Sequence, residues 1–231
     1  MLKRLLCSAV AAGLLIPQAA QAHESGDLIV RLGAAVVAPT KETSDDIVVT
    51  VPPLPNSNVS KLSGAAQPAG SITYMITDHI GIEGILALPF TVDAELSGGV
   101  PLATGSPSIG SSKYLPEVIS IQYYPLKPES KFQPYVGVGL NYTMFFGGKA
   151  SDALNNSAAG ASTIDVDDSV GIALQAGADV MLDDKWLLNA AIWYVDLKTD
   201  LVVGTSNIGD VNINNVKVNP VIFGVTLGRK F

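Results

Sequence analysis

The sequence predicts an all-β protein, an eight-stranded antiparallel transmembrane β-barrel with short periplasmic turns and long extracellular loops. The 231-residue chain is 48% hydrophobic and only 15% charged, with a mean hydropathy of +0.34, whereas soluble domains carry about 25% charged residues. After residue 22 it has no run of about 20 apolar residues that would make a membrane-spanning helix. A closed barrel is then the remaining way to satisfy every backbone amide within a bilayer.

Residues 1–22 have the organisation of a secretory signal peptide. Lys3 and Arg4 form a charged start, residues 5–16 an apolar core, and Ala20-Gln21-Ala22 a small-x-small cleavage site. We expect cleavage between Ala22 and His23, which leaves residues 23–231 as the outer-membrane barrel.

Signal removal would also remove Cys7, the only cysteine, so the mature chain has no disulfide or thiol chemistry. Without Lys3 and Arg4, 12 of the 14 basic side chains remain against 21 acidic ones, a net charge of −9. This charge argues against nucleic acid as a partner. No cofactor is expected.

Eight segments alternate in side-chain character with the period of two that marks a strand with two different faces. Their approximate ranges are 28–36, 71–77, 80–88, 117–124, 132–146, 170–180, 186–195 and 221–231. In the fifth, Val136, Val138 and Leu140 form the lipid face, whereas Gly137 and Gly139 face a narrow interior. In the seventh, the inner face mixes polar and apolar residues: Asn189, Ala191, Trp193 and Val195.

The connections between these strands alternate in length. Those at 78–79, 125–131 and 183–185 are short, and those at 38–70, 91–113, 147–168 and 203–214 are long. Outer-membrane barrels show this rhythm, which places both termini in the periplasm. The long connections contain Pro52-Pro53, Asn56-Ser57-Asn58 and Asn155-Asn156-Ser157, which predict exposed turns and coil.

Aromatic residues cluster near the predicted strand ends, where interfacial girdles are expected. They are Phe90, Tyr114, Phe132, Phe145, Phe146, Trp186, Tyr194 and Phe231.

The fifth segment, Phe132-Gln-Pro-Tyr-Val-Gly-Val-Gly-Leu-Asn-Tyr-Thr-Met-Phe-Phe146, resembles the OmpW family of small outer-membrane barrels. The similarity continues in order through all eight strands, in Gly26-Asp27-Leu28-Ile29-Val30-Arg31-Leu32-Gly33, Thr73-Tyr74-Met75, Ile80-Gly81-Ile82-Glu83, Leu88-Pro89-Phe90, Leu115-Pro116, Gln122-Tyr123-Tyr124, Trp186-Leu187-Leu188-Asn189 and Trp193-Tyr194. Two positions depart from it: Arg229 replaces an aromatic residue before the terminal Phe231, and Val221 replaces a Trp.

The resemblance implies a channel for passive uptake of small hydrophobic molecules, with lateral release through the barrel wall as one route. It also implies the outer membrane of a Gram-negative bacterium, contact with membrane lipid and lipopolysaccharide, and insertion by the barrel-insertion machinery. Arg229 either weakens recognition by that machinery or simply lies at the periplasmic headgroups, which is the commoner outcome for a basic residue near a strand end. The alternative is a structural or surface-interaction barrel without transport.

Several residues are candidates for the lumen and its opening. Pro89 has no N–H and interrupts the ladder, either as a lateral opening or simply as the end of its strand. Arg31 and Glu83 fall on inward faces as a candidate ion pair. The predicted lumen-lining residues are Arg31, Glu83, Gln122, Tyr135, Asn141, Gln175 and Trp193.

The sequence contains few residues that could support catalysis or metal binding. The only histidines, His23 and His79, assemble neither a serine triad nor a metal site, so the chain is not expected to be an enzyme. Asp165, Asp167 and Asp168 have a spacing that suits a divalent cation bridging lipopolysaccharide phosphates, but an acidic solvated loop is the favoured interpretation.

Overall fold

The computed structural model describes residues 22–38, 58–62, 65–97, 108–156, 160–207 and 209–231. These residues form thirteen strands and one short helix. The strands are β1 Leu28–Ala38, β2 Asn58–Leu62, β3 Ala65–Thr77, β4 Ile80–Ala87, β5 Phe90–Ser97, β6 Ser108–Tyr123, β7 Phe132–Ala150, β8 Ala161–Val166, β9 Ser169–Met181, β10 Trp186–Val195, β11 Lys198–Thr205, β12 Val211–Lys217 and β13 Val221–Lys230, and the helix is α1 Asp152–Asn155.

Eight of the strands close into an antiparallel barrel, as predicted. The ring runs β1, β3, β4, β6, β7, β9, β10, β13 and back to β1. The first strand, β1, and the last strand, β13, close the barrel through ten residue pairs, from Ile29 with Lys230 to Ala38 with Val221. We call the end with both termini and the short turns the near end, and the opposite end the far end.

The two faces of the barrel wall differ as the period-two pattern predicts. In β10 exposed and buried residues alternate without exception. Its outward face includes Leu188 and Ile192, and its inward face includes Asn189 and Trp193. The middle of the other barrel strands also exposes large apolar residues, among them Leu32, Ile119 and Val225, so a hydrophobic band surrounds the barrel.

Among the described residues, none of the helices has the length and apolar character needed to cross a membrane.

The long connections contain more structure than the predicted coil. β2 and β5 pair with each other, and β5 also pairs with the far part of β6. The segments 52–53 and 56–57 lie outside the described residues, and Asn155 ends the short helix α1. Because β6 has 16 residues and β7 has 19, where about 9–11 cross a membrane, both extend beyond it and offer edges for further pairing.

A second, three-stranded sheet stands at the far end. It has the order β12, β11, β8 and its own apolar cluster of Ile164, Leu201, Val203, Ile213 and Val216. Ile164 packs on the extended barrel strands at Gly110 and Gly148, where a Cβ atom would collide with it. The prediction of coil failed here because the three strands are short and the connections that contain them are rich in turn-forming residues.

The barrel wall is interrupted between β4 and β6, beside Pro89. The β4 ladder ends at the pair of Ile85 with Val118, and pairing resumes with Phe90 and Tyr114. Four residues, 86–89, therefore stand opposite three, 115–117, with no ladder pairs between the two segments, although Leu86 and Ala87 still pair with β3 and residues 115–117 with β7. The extra residue is a β-bulge, and it places Phe90 on the inner side.

The bulge corrects the prediction that all eight aromatic residues belong to interfacial girdles. Phe90 is only 1% exposed and stacks on Tyr114, with ring centroids 5.4 Å apart. Tyr114 in turn contacts Phe145 at 6.0 Å. These three rings pack inside the far part of the barrel, whereas Phe132, Phe146, Trp186, Tyr194 and Phe231 are exposed on its outer surface.

The C-terminal residue continues the ladder beyond β13. The backbone N–H of Phe231 donates to the Leu28 carbonyl over 2.9 Å. The Arg229 guanidinium lies 4.8 Å from the centre of the Phe231 ring and 5.5 Å from that of Trp186. Arg229 therefore packs among the aromatic residues of the near end, where it makes cation–π contacts with Trp186 and Phe231.

The outward face of β7 provides a test of the lipid contact. We expect Val138→Arg to lower the free energy of unfolding in lipid vesicles by about 2–4 kcal/mol, because a charged side chain near the bilayer midplane is costly. Val138→Ala is the matched control and should lose clearly less. Equal losses in the two variants, measured by denaturant titration, would contradict a lipid-facing β7.

Candidate functional site

A buried ion pair lies at the centre of the near half of the lumen. Arg31 of β1 and Asp179 of β9 are both fully enclosed. Arg31 Nη2 donates to Asp179 Oδ2 over 2.6 Å, and Arg31 Nε donates to Oδ1 over 3.2 Å. This two-point geometry is the strongest form of charge-assisted hydrogen bond between such groups.

The remaining donors of Arg31 reach β3, β4 and the residue that follows β6. Nη1 donates to Thr73 Oγ1 over 2.6 Å and approaches Glu83 Oε1 at 3.4 Å. Nη2 also donates to the Tyr124 hydroxyl over 3.2 Å. The predicted pair of Arg31 and Glu83 therefore exists, but Asp179 is the closer carboxylate.

Asp179 has two further partners. His23 Nε2 lies 2.9 Å from Asp179 Oδ2, and the His23 ring packs edge-on against Tyr124, with centroids 4.8 Å apart. Asn189 Nδ2 donates to Asp179 Oδ1 over 2.8 Å and to the Tyr135 hydroxyl over 3.0 Å. The residue that precedes the barrel is thereby drawn into the lumen.

Glutamine side chains extend the network to the other side of the lumen. Gln175 Nε2 donates to Glu83 Oε2 over 2.8 Å, and Gln122 Nε2 donates to Gln175 Oε1 over 3.2 Å. The Tyr124 hydroxyl donates to Gln122 Oε1 over 2.8 Å. We call this network the polar floor.

The members of the polar floor are Arg31, Thr73, Glu83, Gln122, Tyr124, Tyr135, Gln175, Asp179 and Asn189, together with His23. An eight-stranded barrel has an interior just wide enough for side chains, and here hydrogen-bonded polar groups occupy it. The floor therefore closes the near end of the lumen.

An apolar cavity of about 50 Å³ lies on the far side of the floor. Its wall includes Ala35, Ile85, Val118, Trp193 and Ile222, with Asn189 where it meets the floor. Small side chains keep this space open, among them Gly224, where a Cβ atom would come within 2.7 Å of the Trp193 ring.

The cavity extends to the break in the wall. Ala87 and Pro116, which lie in the two segments that do not pair with each other, line it together with Phe90, the next residue after 86–89. Pro116, like Pro89, has no N–H to donate. The Asn141 amide donates to the Glu117 carbonyl beside the break over 3.2 Å.

All seven predicted lumen residues have buried side chains inside the barrel. Arg31, Glu83, Gln122, Tyr135 and Gln175 belong to the polar floor, Trp193 lines the cavity, and Asn141 lies beside the break.

Five residues of the polar floor were not among the predicted lumen residues: His23, Thr73, Tyr124, Asp179 and Asn189. Asp179 carried a signal in the sequence, since it is a carboxylate at an inward position of a strand. Asn189 lies on the inner face predicted for the seventh strand, where apolar residues surround it in the sequence. His23 contacts Asp179 across 156 residues of chain, a distance that no local pattern reveals.

The acidic group of the third long connection does not form a cation site. The Asp168 carboxylate accepts hydrogen bonds from the Tyr142 hydroxyl at 2.6 Å and from the Phe145 N–H at 2.9 Å, which lower the pKa of Asp168 below its usual value. Asp165 and Asp167 are exposed. Within the described ranges, no cluster of three His, Cys, Asp or Glu side chains is placed to hold a metal ion.

Fold and site together define a small membrane barrel with a closed near end and an apolar cavity beyond it, the class of the outer-membrane β-barrels. The chain matches the OmpW family over residues 24–231 and belongs to it. Outer membrane protein W of Vibrio cholerae is 38% identical over 231 residues, 100% of each chain.

Two further comparisons extend the relationship. The crystal structure of OprG from Pseudomonas aeruginosa matches with a TM-score of 0.82 and 31% identity, over 92% of this chain and 99% of that one. The dibenzothiophene metabolism operon protein PahQ of Pseudomonas aeruginosa is 27% identical over 159 residues, 68% of each chain. The protein is therefore located in the outer membrane, with its near end facing the periplasm.

A pair of glycines tests the packing of the polar floor. A Cβ atom at Gly177 would lie 2.6 Å from the Tyr135 ring, whereas one at Gly84 would meet nothing within 4 Å. We expect Gly177→Ala to lower the free energy of unfolding by about 1–3 kcal/mol, as overpacking does, and Gly84→Ala to be neutral or slightly stabilising. If both variants unfold alike in a denaturant titration, the tight packing of Tyr135 is wrong.

Proposed function

We propose that the protein is a channel for passive uptake of small hydrophobic molecules, which leave it sideways into the membrane. One observation carries this proposal: the apolar cavity adjoins the break in the wall, while the polar floor closes the route to the periplasm.

The cavity lining favours apolar solutes. Its alanine, isoleucine, valine and tryptophan side chains offer few hydrogen bonds, so a strongly polar solute would lose its contacts with water without replacement. An apolar solute loses nothing comparable and gains from leaving water. At about 50 Å³ the cavity is smaller than the 150 Å³ that holds benzene in an engineered protein, so passage requires side chains to move.

The break lowers the cost of opening the wall. A continuous ladder would have to lose about 1 kcal/mol for each hydrogen bond broken. Between β4 and β6 the residues around Pro89 and Pro116 have no such ladder pairs to lose. A solute in the cavity therefore meets less resistance here than at the paired strands of the ring.

The name of one relative supports the same solute class. PahQ is named for a dibenzothiophene metabolism operon, and dibenzothiophene is an apolar aromatic compound. Uptake of apolar compounds by this chain is consistent with that context.

Transport can be tested in vesicles whose outer leaflet is lipopolysaccharide, which slows the unassisted entry of apolar solutes. We expect vesicles with the protein to take up naphthalene faster than empty vesicles, as followed by its fluorescence on binding trapped cyclodextrin. Equal rates would contradict uptake.

The exit route can be tested in the same vesicles with Pro89→Ala. The restored N–H allows another wall hydrogen bond, so we expect about fivefold slower entry, the effect of about 1 kcal/mol. Pro134→Ala is the control, because Pro134 lies in a strand that is regularly paired with β9, and it should leave the rate unchanged. Equal effects of both variants would contradict lateral exit at Pro89.

A surface-interaction role is the second candidate. The sheet of β8, β11 and β12 has its own apolar cluster and forms an ordered platform on the extracellular side. This role would be favoured if naphthalene enters vesicles that contain the wild-type protein no faster than it enters empty vesicles.

We also propose that lipopolysaccharide surrounds the extracellular half of the barrel and that the insertion machinery recognises the last strand, which ends at Arg229 and Phe231.

We further propose that the signal peptide ends at Ala22. Intact mass spectrometry of protein from the outer membrane should give a chain beginning at His23. A chain that begins elsewhere would contradict the cleavage site.

A further inference from the structure

Two polar side chains at the apolar cavity have no hydrogen-bond partner among the described residues. They are Trp193, through its indole Nε1, and Thr226, through its hydroxyl Oγ1. Both residues line the cavity and are only 8% exposed. A buried polar group without a partner is costly and calls for an explanation.

The two residues lie on one side of the lumen. Trp193 is on β10 and Thr226 on the neighbouring β13, and Gly224 between them leaves room for the indole ring, which would collide with a Cβ atom there. In the ring of eight strands, β10 lies opposite β4, and β13 lies opposite β6. Trp193 and Thr226 therefore face the break in the wall across the lumen.

This arrangement gives the cavity a polar side and an apolar exit. A pure hydrocarbon would leave the indole N–H and the threonine hydroxyl without partners. A solute with one hydrogen-bond acceptor could satisfy them while its apolar chain points toward Pro89 and Pro116. The cavity is small enough that the polar end group and its nearest carbons would fill it.

We propose that the channel selects small amphiphiles with a single hydrogen-bond acceptor, such as ketones, ethers or esters, over hydrocarbons of the same length. The Trp193 indole N–H donates to the acceptor, and the Thr226 hydroxyl is its second donor. This inference rests on the proposed uptake function and names the solute class within it.

The two tryptophans allow a direct test by NMR of the full barrel in detergent micelles. Trp193 lies inside the barrel and Trp186 on its outer surface, so the indole resonance of Trp186 reports effects of the micelle alone. We expect 2-hexanone to move the Trp193 Nε1–H resonance downfield in a saturable manner and n-hexane not to do so. Trp186→Phe assigns the two resonances.

Thr226→Val provides the matched variant, because it keeps the shape of the side chain and removes the hydroxyl. We expect it to weaken 2-hexanone binding roughly three- to tenfold, the effect of one hydrogen bond. The control is Thr91→Val, which lies outside the cavity lining and should leave the affinity unchanged.

The possible outcomes separate this inference from the proposed function. If 2-hexanone does not shift the Trp193 Nε1–H resonance, the inference is overturned. This is the result expected if a trapped water molecule permanently accepts the hydrogen bond of the indole. An equal response to n-hexane and 2-hexanone also overturns the inference. Either result is compatible with the proposed uptake function, provided that naphthalene enters vesicles with the protein faster than empty vesicles. Absence of that entry overturns the uptake function and the solute class with it.

Discussion

The ion pair of Arg31 and Asp179 is the interaction on which the interior of this barrel depends. A charge buried alone would be prohibitively costly, so each partner requires the other and the hydrogen bonds around them. Those bonds reach Thr73 and Glu83 on one side and Asn189 on the other. One pair thereby connects strands from across the ring and fills the near end with groups that satisfy each other.

The polar floor separates an apolar cavity from the near end of the barrel. Because the polar groups are concentrated near the periplasm, the far part can be lined by alanine, valine and tryptophan. This apolar space ends at the closed floor. The break beside Pro89 adjoins the cavity, and Gly224 keeps the space open because it admits the Trp193 ring.

Much of this structure could be predicted from the sequence. Alternation with a period of two identified all eight barrel strands and the mixed inner face of β10, because each strand separates lipid from a packed interior. The strands of the long connections were missed because they have only five to eight residues and most of them pair with partners that are distant in the sequence. The inward turn of Phe90 depends on a bulge, which shifts the alternation by one residue. Contacts such as that of His23 with Asp179 depend on the closure of the ring, which local patterns do not encode.

The most direct test of this account is a double-mutant cycle on the central pair. We expect Arg31→Met and Asp179→Leu each to lower the free energy of unfolding by about 3–5 kcal/mol, because each leaves a buried charge without its main partner. The double variant should recover a large part of that loss, with an interaction energy of about 2 kcal/mol or more. Losses that add to within about 0.5 kcal/mol would contradict the central role of the pair.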